Sequence, residues 1–293
     1  MAMKIRLDKA LVERGLAGSR ERAQALVIAG RVLVGEQRVE KPGAPVEVDA
    51  TLRVIGDDLR YVGRGGLKLE RAIEHWGIDL AGRACVDVGA STGGFTDCML
   101  QHGAASVLAV DTGYGQIAHK LRVDERVRLM ERCNARLLGE GQLLVVSGEL
   151  LAKAKAYPSA ALRDDKERAL RDDKQNVGIS FLAMDVSFIS ATLVLPAVVQ
   201  ALAAQGEVWR GEAVVLVKPQ FEAGREHVGK GGIVREQAAR ELAIDRVREC
   251  VVGLGASGVE VIESPITGME GNREYLLHGW FGQDQRLNTD QRR

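Results

Sequence analysis

From Tyr61 onward the chain repeats one rhythm: the short apolar runs ACVDVGA, SVLAVD, VRLM, ISFLAMD and AVVLVK, most of them separated by segments of helical length. Strands of this kind are buried on both faces, and parallel strands need long crossovers between them, usually helices. The rhythm therefore predicts an α/β fold, with a mostly parallel, doubly wound sheet covered by helices on both sides. Residues 139–178 interrupt it with a polar stretch in which ALRDDK occurs twice, eight residues apart. That stretch is expected to be a solvated helical excursion, since its repeated Asp pairs would repel phosphate.

Residues 1–60 follow a different pattern and form a separate small α+β unit, leaving 61–293 as the larger domain. Leu7, Ala10 and Leu11, then Ala23, Leu26 and Val27, recur at helical spacing, and Gly30 stands where the second helix should end. RVLVGEQRVE turns at Gly35 and Glu36 between short β-like runs, and KPGAPVEVDATLRVI adds another extended segment. In residues 1–31 the cations Lys4, Arg6, Lys9, Arg14, Arg20, Arg22 and Arg31 outnumber Asp8, Glu13 and Glu21. A basic face for nucleic acid is one reading, and two merely solvated helices the other.

The formal net charge is zero, so any basic surface has to be local. Cys85, Cys98, Cys133 and Cys250 are scattered without a C-x-x-C pair, and no secretory leader pattern opens the chain. These features fit a reducing cytoplasm. The most apolar stretch, Ala191 to Ala204, is too short for a bilayer span and is interrupted by Pro196 and Gln200.

The run ACVDV leads into GASTGGFTD, which puts Asp87, Gly89, Ala90, Ser91, Gly93 and Gly94 at a strand-to-helix turn. Glycines there let the backbone approach a ligand closely. A dinucleotide site is one possibility, because Asp111 ends the next strand where a ribose-binding acid is expected. The spacing G-x-x-x-G-G lacks the glycine that close pyrophosphate approach needs, however, and a carboxylate two residues ahead suits a cationic amino acid moiety better. Asp111 would then take ribose hydroxyls. Asn134, after the third strand, would lie near an adenine or would simply be a turn residue.

Asp185 and Lys218 each end an apolar run, at the sheet edge where open α/β sheets bind ligands. Lys68 sits in the first turn of a helix with a Leu69, Ala72, Ile73 and Trp76 stripe, where a cation opposes the helix dipole. Glu274 begins EYLLHGWF after a Gly271–Asn272 turn. If that last strand runs antiparallel to the rest, Glu274 starts it on the same edge.

YVGRGGLKL, DVGASTGGFTD, AVDTGYGQ, MDVSFIS, VKPQFEAGR with GKGGIVR, and GNREYLL occur in an order that resembles the TlyA family of ribosomal RNA ribose methyltransferases, also called haemolysin A. The resemblance implies a Rossmann-like, FtsJ-like methyltransferase domain behind an RNA-binding domain like that of ribosomal protein S-four. It implies S-adenosylmethionine as cofactor, with Asp87 and the Gly89–Gly94 loop on its methionine end and Asp111 on its ribose. It further implies 2′-O-methylation of a ribosomal cytidine by a tetrad of Lys68, Asp185, Lys218 and Glu274. A poorly acidic ribose hydroxyl calls for a general base, which makes Lys218 either that base, oriented by Asp185, or a residue that steers the hydroxyl. Such a protein is expected to work on ribosomal subunits as a cytoplasmic monomer, without a metal. A non-catalytic RNA-binding protein and a membrane-active haemolysin are the rival readings. Gly63 departs from the YVSRGG of the family, and 139–178 is longer than the usual connection.

Overall fold

The computed structural model describes residues 4–17, 19–28, 30–55, 60–144, 178–204, 206–268 and 271–282. The repeated ALRDDK segment, within 145–177, lies outside them. The chain forms two compact units, Met1–Leu59 and Arg60–Arg293.

The first unit contains β1 (Lys4–Arg6), α1 (Leu7–Glu13), α2 (Arg20–Ile28), β2 (Val32–Val34), β3 (Gln37–Arg38), β4 (Pro45–Glu47) and β5 (Leu52–Val54). Both helical stripes are buried in one small core with Val32 and Val46. The second helix stops at Gly30, whose φ of 65° lets its N–H donate to the Val27 carbonyl at 2.9 Å. The hairpin turns as its sequence requires, with Val34 paired to Gln37 across Gly35 and Glu36. Pairing of β1 with β4 and of β2 with β5 closes the unit.

Asp8 is fully buried in this unit. It accepts hydrogen bonds from Arg6 Nε at 3.0 Å, Arg20 Nε at 3.1 Å and Gln24 Nε2 at 3.0 Å. The Arg6 hydrogen bond above all holds its carboxyl far below the usual carboxylate range, against the opposing pull of burial. Two of the N-terminal cations are thus organised around one internal acid.

The second unit is built on seven strands: β6 (Ala84–Val88), β7 (Ser106–Val110), β8 (Val127–Met130), β9 (Phe181–Met184), β10 (Gly211–Val217), β11 (Ala256–Glu263) and β12 (Tyr275–Phe281). Their order is β11-β12-β10-β9-β6-β7-β8. Strands β6 to β10 run parallel to one another, whereas β12 is antiparallel to β10 and to β11. The mostly parallel sheet and the antiparallel last strand both stand as expected.

Helices α3 (Gly65–Trp76) and α4 (Gly94–Gln101) cover one face, and α6 (Leu195–Leu202) and α8 (Gln237–Gly253) the other; α5 (His119–Arg122) and α7 (Pro219–Glu222) are single turns. Successive strand residues point to opposite faces. Cys85, Val107 and Phe181 accordingly pack with Leu69 and Phe95, while Val86, Leu108 and Leu182 pack with Val198 and Val247. Strand order reverses between β6 and β9, which opens a crevice at their carboxyl ends. Among the described residues no helix is long and apolar enough to cross a membrane.

Candidate active site

The crevice gathers four charged side chains from four elements. Lys68 comes from the first turn of α3, Asp185 follows β9, Lys218 follows β10, and Glu274 precedes β12. Because Val217 pairs with Tyr275 in antiparallel register, the next residues outward, Lys218 and Glu274, emerge at the same edge. Lys68 Nζ donates to Glu274 Oε2 at 2.5 Å and stands 4.0 Å from Asp185 Oδ2. Lys218 Nζ lies 2.6 Å from Asp185 Oδ1, an ion pair without hydrogen-bond alignment. Its aligned hydrogen bond goes to Ser187 Oγ at 2.5 Å.

Lys68, Lys218 and Glu274 are 8%, 7% and 3% exposed. Charges this far from water persist only when paired, and two cations with two carboxylates cancel. The dipole penalty on Lys68 is thereby answered by carboxylates from elsewhere in the fold.

The glycine loop begins one residue past β6. Gly89 has φ 89°, and a Cβ there would lie 2.4 Å from the Asp185 carbonyl oxygen, so only glycine lets the two strand ends approach this closely. Gly93 (φ 94°) starts α4, and a Cβ on Gly94 would press on the Gly66 amide at 2.9 Å. Ser91 holds a left-handed φ of 50° and donates its N–H to Asp111 Oδ2 at 2.7 Å. Asp111 Oδ1 accepts from Gly113 N at 2.6 Å. A small pocket lies between Ala90, Ser91, Asp111, Gln116, Ile117 and Glu131. Asn134 does not line it. The Asn134 side chain instead caps the turn Ala135–Leu137, its Oδ1 accepting from Arg136 N at 3.2 Å.

Asp87 is fully buried. Its Oδ2 accepts from Thr96 N at 2.9 Å and Thr96 Oγ1 at 2.6 Å, while Oδ1 has no partner among the described residues. Burial, opposed by the Thr96 bonds and helped by Asp185 and Asp111, pushes its carboxyl up to about 7. A buried acceptor oxygen left unmatched fits a cationic group brought in by a ligand.

Sequence reasoning passed over several of these residues. Glu131 follows β8 directly, the same signal that marked Asp111, and its carboxylate accepts from Gly115 N at 2.7 Å and pairs with Arg122. Ser187 and Phe188 carried no periodic or charge signal. Phe188 is 93% exposed and holds a left-handed φ of 65°. The glycine at position 63 faces Thr92, whose Oγ1 would lie 2.7 Å from an added Cβ.

Residues 61–281 match the family model described as FtsJ-like methyltransferase, and residues 5–52 that of the S4 domain. The chain belongs to the FtsJ-like methyltransferase family. This methyltransferase is 38% identical over 278 residues to the 16S/23S rRNA (cytidine-2'-O)-methyltransferase TlyA of Mycobacterium tuberculosis, covering 94% of this chain and 90% of the relative. It is 36% identical to a protein named Hemolysin A from Brachyspira hyodysenteriae, covering 94% and 99%. A solved structure of a hemolysin-named protein from Streptococcus thermophilus, 38% identical, superposes on the methyltransferase with a TM-score of 0.63, covering 96% of this chain and 90% of that one. The resemblance drawn from the motifs is borne out.

Proposed function

We propose that this methyltransferase transfers a methyl group from S-adenosylmethionine to a ribose 2′-hydroxyl of ribosomal RNA, at a cytidine. The observation that carries the reading is the paired cluster of Lys68, Asp185, Lys218 and Glu274 beside the glycine loop, which suits removal of a proton from a weakly acidic hydroxyl. The cytidine and the ribosomal substrate rest on what the TlyA relative is named for.

When bound, S-adenosylmethionine supplies a methyl carbon on a sulfonium and leaves as the neutral thioether. Asp87 Oδ1 and the backbone of Gly89–Gly94 would hold its amino acid end, and Asp111 its ribose. Lys218, after losing its own proton to solvent, would take the proton of the 2′-hydroxyl as that oxygen is methylated. Asp185 holds Lys218 and Lys68 in place, and Glu274 fixes Lys68, so alignment supplies much of the acceleration. The N-terminal unit, with the Arg6 and Arg20 pair set by Asp8, contacts the RNA, and the protein works in the cytoplasm.

The test is incubation with tritiated S-adenosylmethionine and each unmodified ribosomal subunit, followed by mapping of the modified ribose through its resistance to alkaline hydrolysis. Label at a cytidine 2′-oxygen is the expected result, and no label in either subunit overturns the reading. Lys218→Ala should still bind the cofactor but transfer no methyl, and near-normal turnover in that variant would remove Lys218 from the role of base.

A further inference from the structure

Lys218 is held by two neighbours that act differently. Asp185 attracts its charge at 2.6 Å, in an ion pair that lacks hydrogen-bond geometry. Ser187 does line up, at 2.5 Å, and among the described residues it is the hydrogen-bond acceptor that sets how the amine is turned about its Cε–Nζ bond. A terminal amine rotates freely unless a directional bond stops it, and a lone pair can collect a proton only from the direction in which it points.

Ser187 is itself held. It lies on the segment between β9 and a 3₁₀ turn at Ala191–Leu193, and the far end of that segment is fixed by Glu222. Glu222, 5% exposed, accepts from Ser190 Oγ at 2.5 Å and from Ala191 N at 2.7 Å. Glu222 closes the same single turn, α7, that Lys218 caps at its start. Two cross-links therefore join one short loop to one short helix, Ser187 to Lys218 and Ser190 to Glu222. Between them the Phe188 and Phe221 rings meet at 5.7 Å. The links lie three residues apart on the loop and four apart on the turn, so the two segments are joined at two points.

We infer that Ser187 is a positioning residue for methyl transfer: its hydroxyl oxygen fixes the rotation of the Lys218 amine toward the acceptor ribose, and Glu222 holds the loop that presents it. The role adds direction without adding charge. A second carboxylate at this position would instead hold Lys218 as a cation, unable to take a proton. This inference rests on the function proposed above.

The experiment measures single-turnover methyl transfer from tritiated S-adenosylmethionine to the subunit that accepts label, alongside cofactor and subunit affinity, for the full chain and three variants. Ser187→Ala is expected to lower the transfer rate by about tenfold or more while both affinities stay within about twofold, since only alignment is lost. Ser187→Thr keeps the hydroxyl at an exposed position and should restore the rate to within about threefold of the parent. Ser187→Asp should be slower than Ser187→Ala. A Ser187→Ala rate equal to the parent, equal impairment of the Ala and Thr variants, or an Asp variant as fast as the parent each overturns the inference and leaves the proposed function standing. A parent chain that binds cofactor and subunits yet transfers nothing overturns both.

Discussion

At the scale of single residues, Asp87 carries the clearest pH signature. Its carboxyl sits at about 7 in the folded protein against 3.8 ordinarily, so the folded state keeps a proton that the unfolded chain has lost. That group therefore costs stability as pH rises from 3.8 to about 7, and the loss is complete above that window. A cation placed against Asp87 Oδ1 removes the cost. S-adenosylmethionine binding should then release a proton below about pH 7, tightening by at most about tenfold per pH unit as pH rises toward 7 and levelling off above it. Calorimetry in two buffers of different ionisation heat reads the released proton, and equal heats in both would sink the assignment of Asp87. Gly66 makes a second prediction, because an added Cβ would lie 2.3 Å from Tyr61 Cγ, in a buried ring hydrogen-bonded to Glu70. Gly66→Ala should lose about 1–3 kcal/mol in urea unfolding. The sequence could point to Lys68 because a cation in a first helical turn violates local electrostatics, and to Asp87 because an acid precedes the glycines. Ser187 violates nothing locally, and its meaning exists only once Lys218 stands beside it.

At the scale of elements, the five parallel strands were legible because burial on both faces leaves nearly unbroken apolar runs. Strand β11 was not, since it lies at the sheet edge and mixes buried and exposed positions along Ala256–Glu263. The pairing of β1 with β4 was likewise hidden, because nothing in either three-residue strand names a partner some forty residues away. Helix α3 lies along β12 and is tied to it twice. Lys68 meets Glu274 near one end, and at the other the Trp76 ring stacks on His278 with centroids 4.8 Å apart. Trp76 Nε1 also donates to Glu260 Oε2 on β11 at 3.0 Å. Trp76→Ala should cost about 2–3 kcal/mol, read as a lower urea midpoint with an unchanged slope. A midpoint equal to that of the parent would mean that the second tie bears no strain.

At the scale of the whole molecule, a net charge of zero conceals an N-terminal helical half in which cations outnumber acids. Binding to ribosomal subunits should weaken as salt rises, and Lys4→Glu with Lys9→Glu should raise the subunit Kd by about tenfold while leaving cofactor affinity alone. Filter binding across a salt series measures both, and an unchanged Kd would move the RNA contact elsewhere. The double attachment of α3 to β12 has a consequence for how heat acts on the protein. A site assembled by its ligands fails early, when its parts drift while the body of the fold survives. Here the residues that would do the chemistry hang on the same beam that joins helix to sheet, so methyl transfer and tertiary structure should be lost at one temperature.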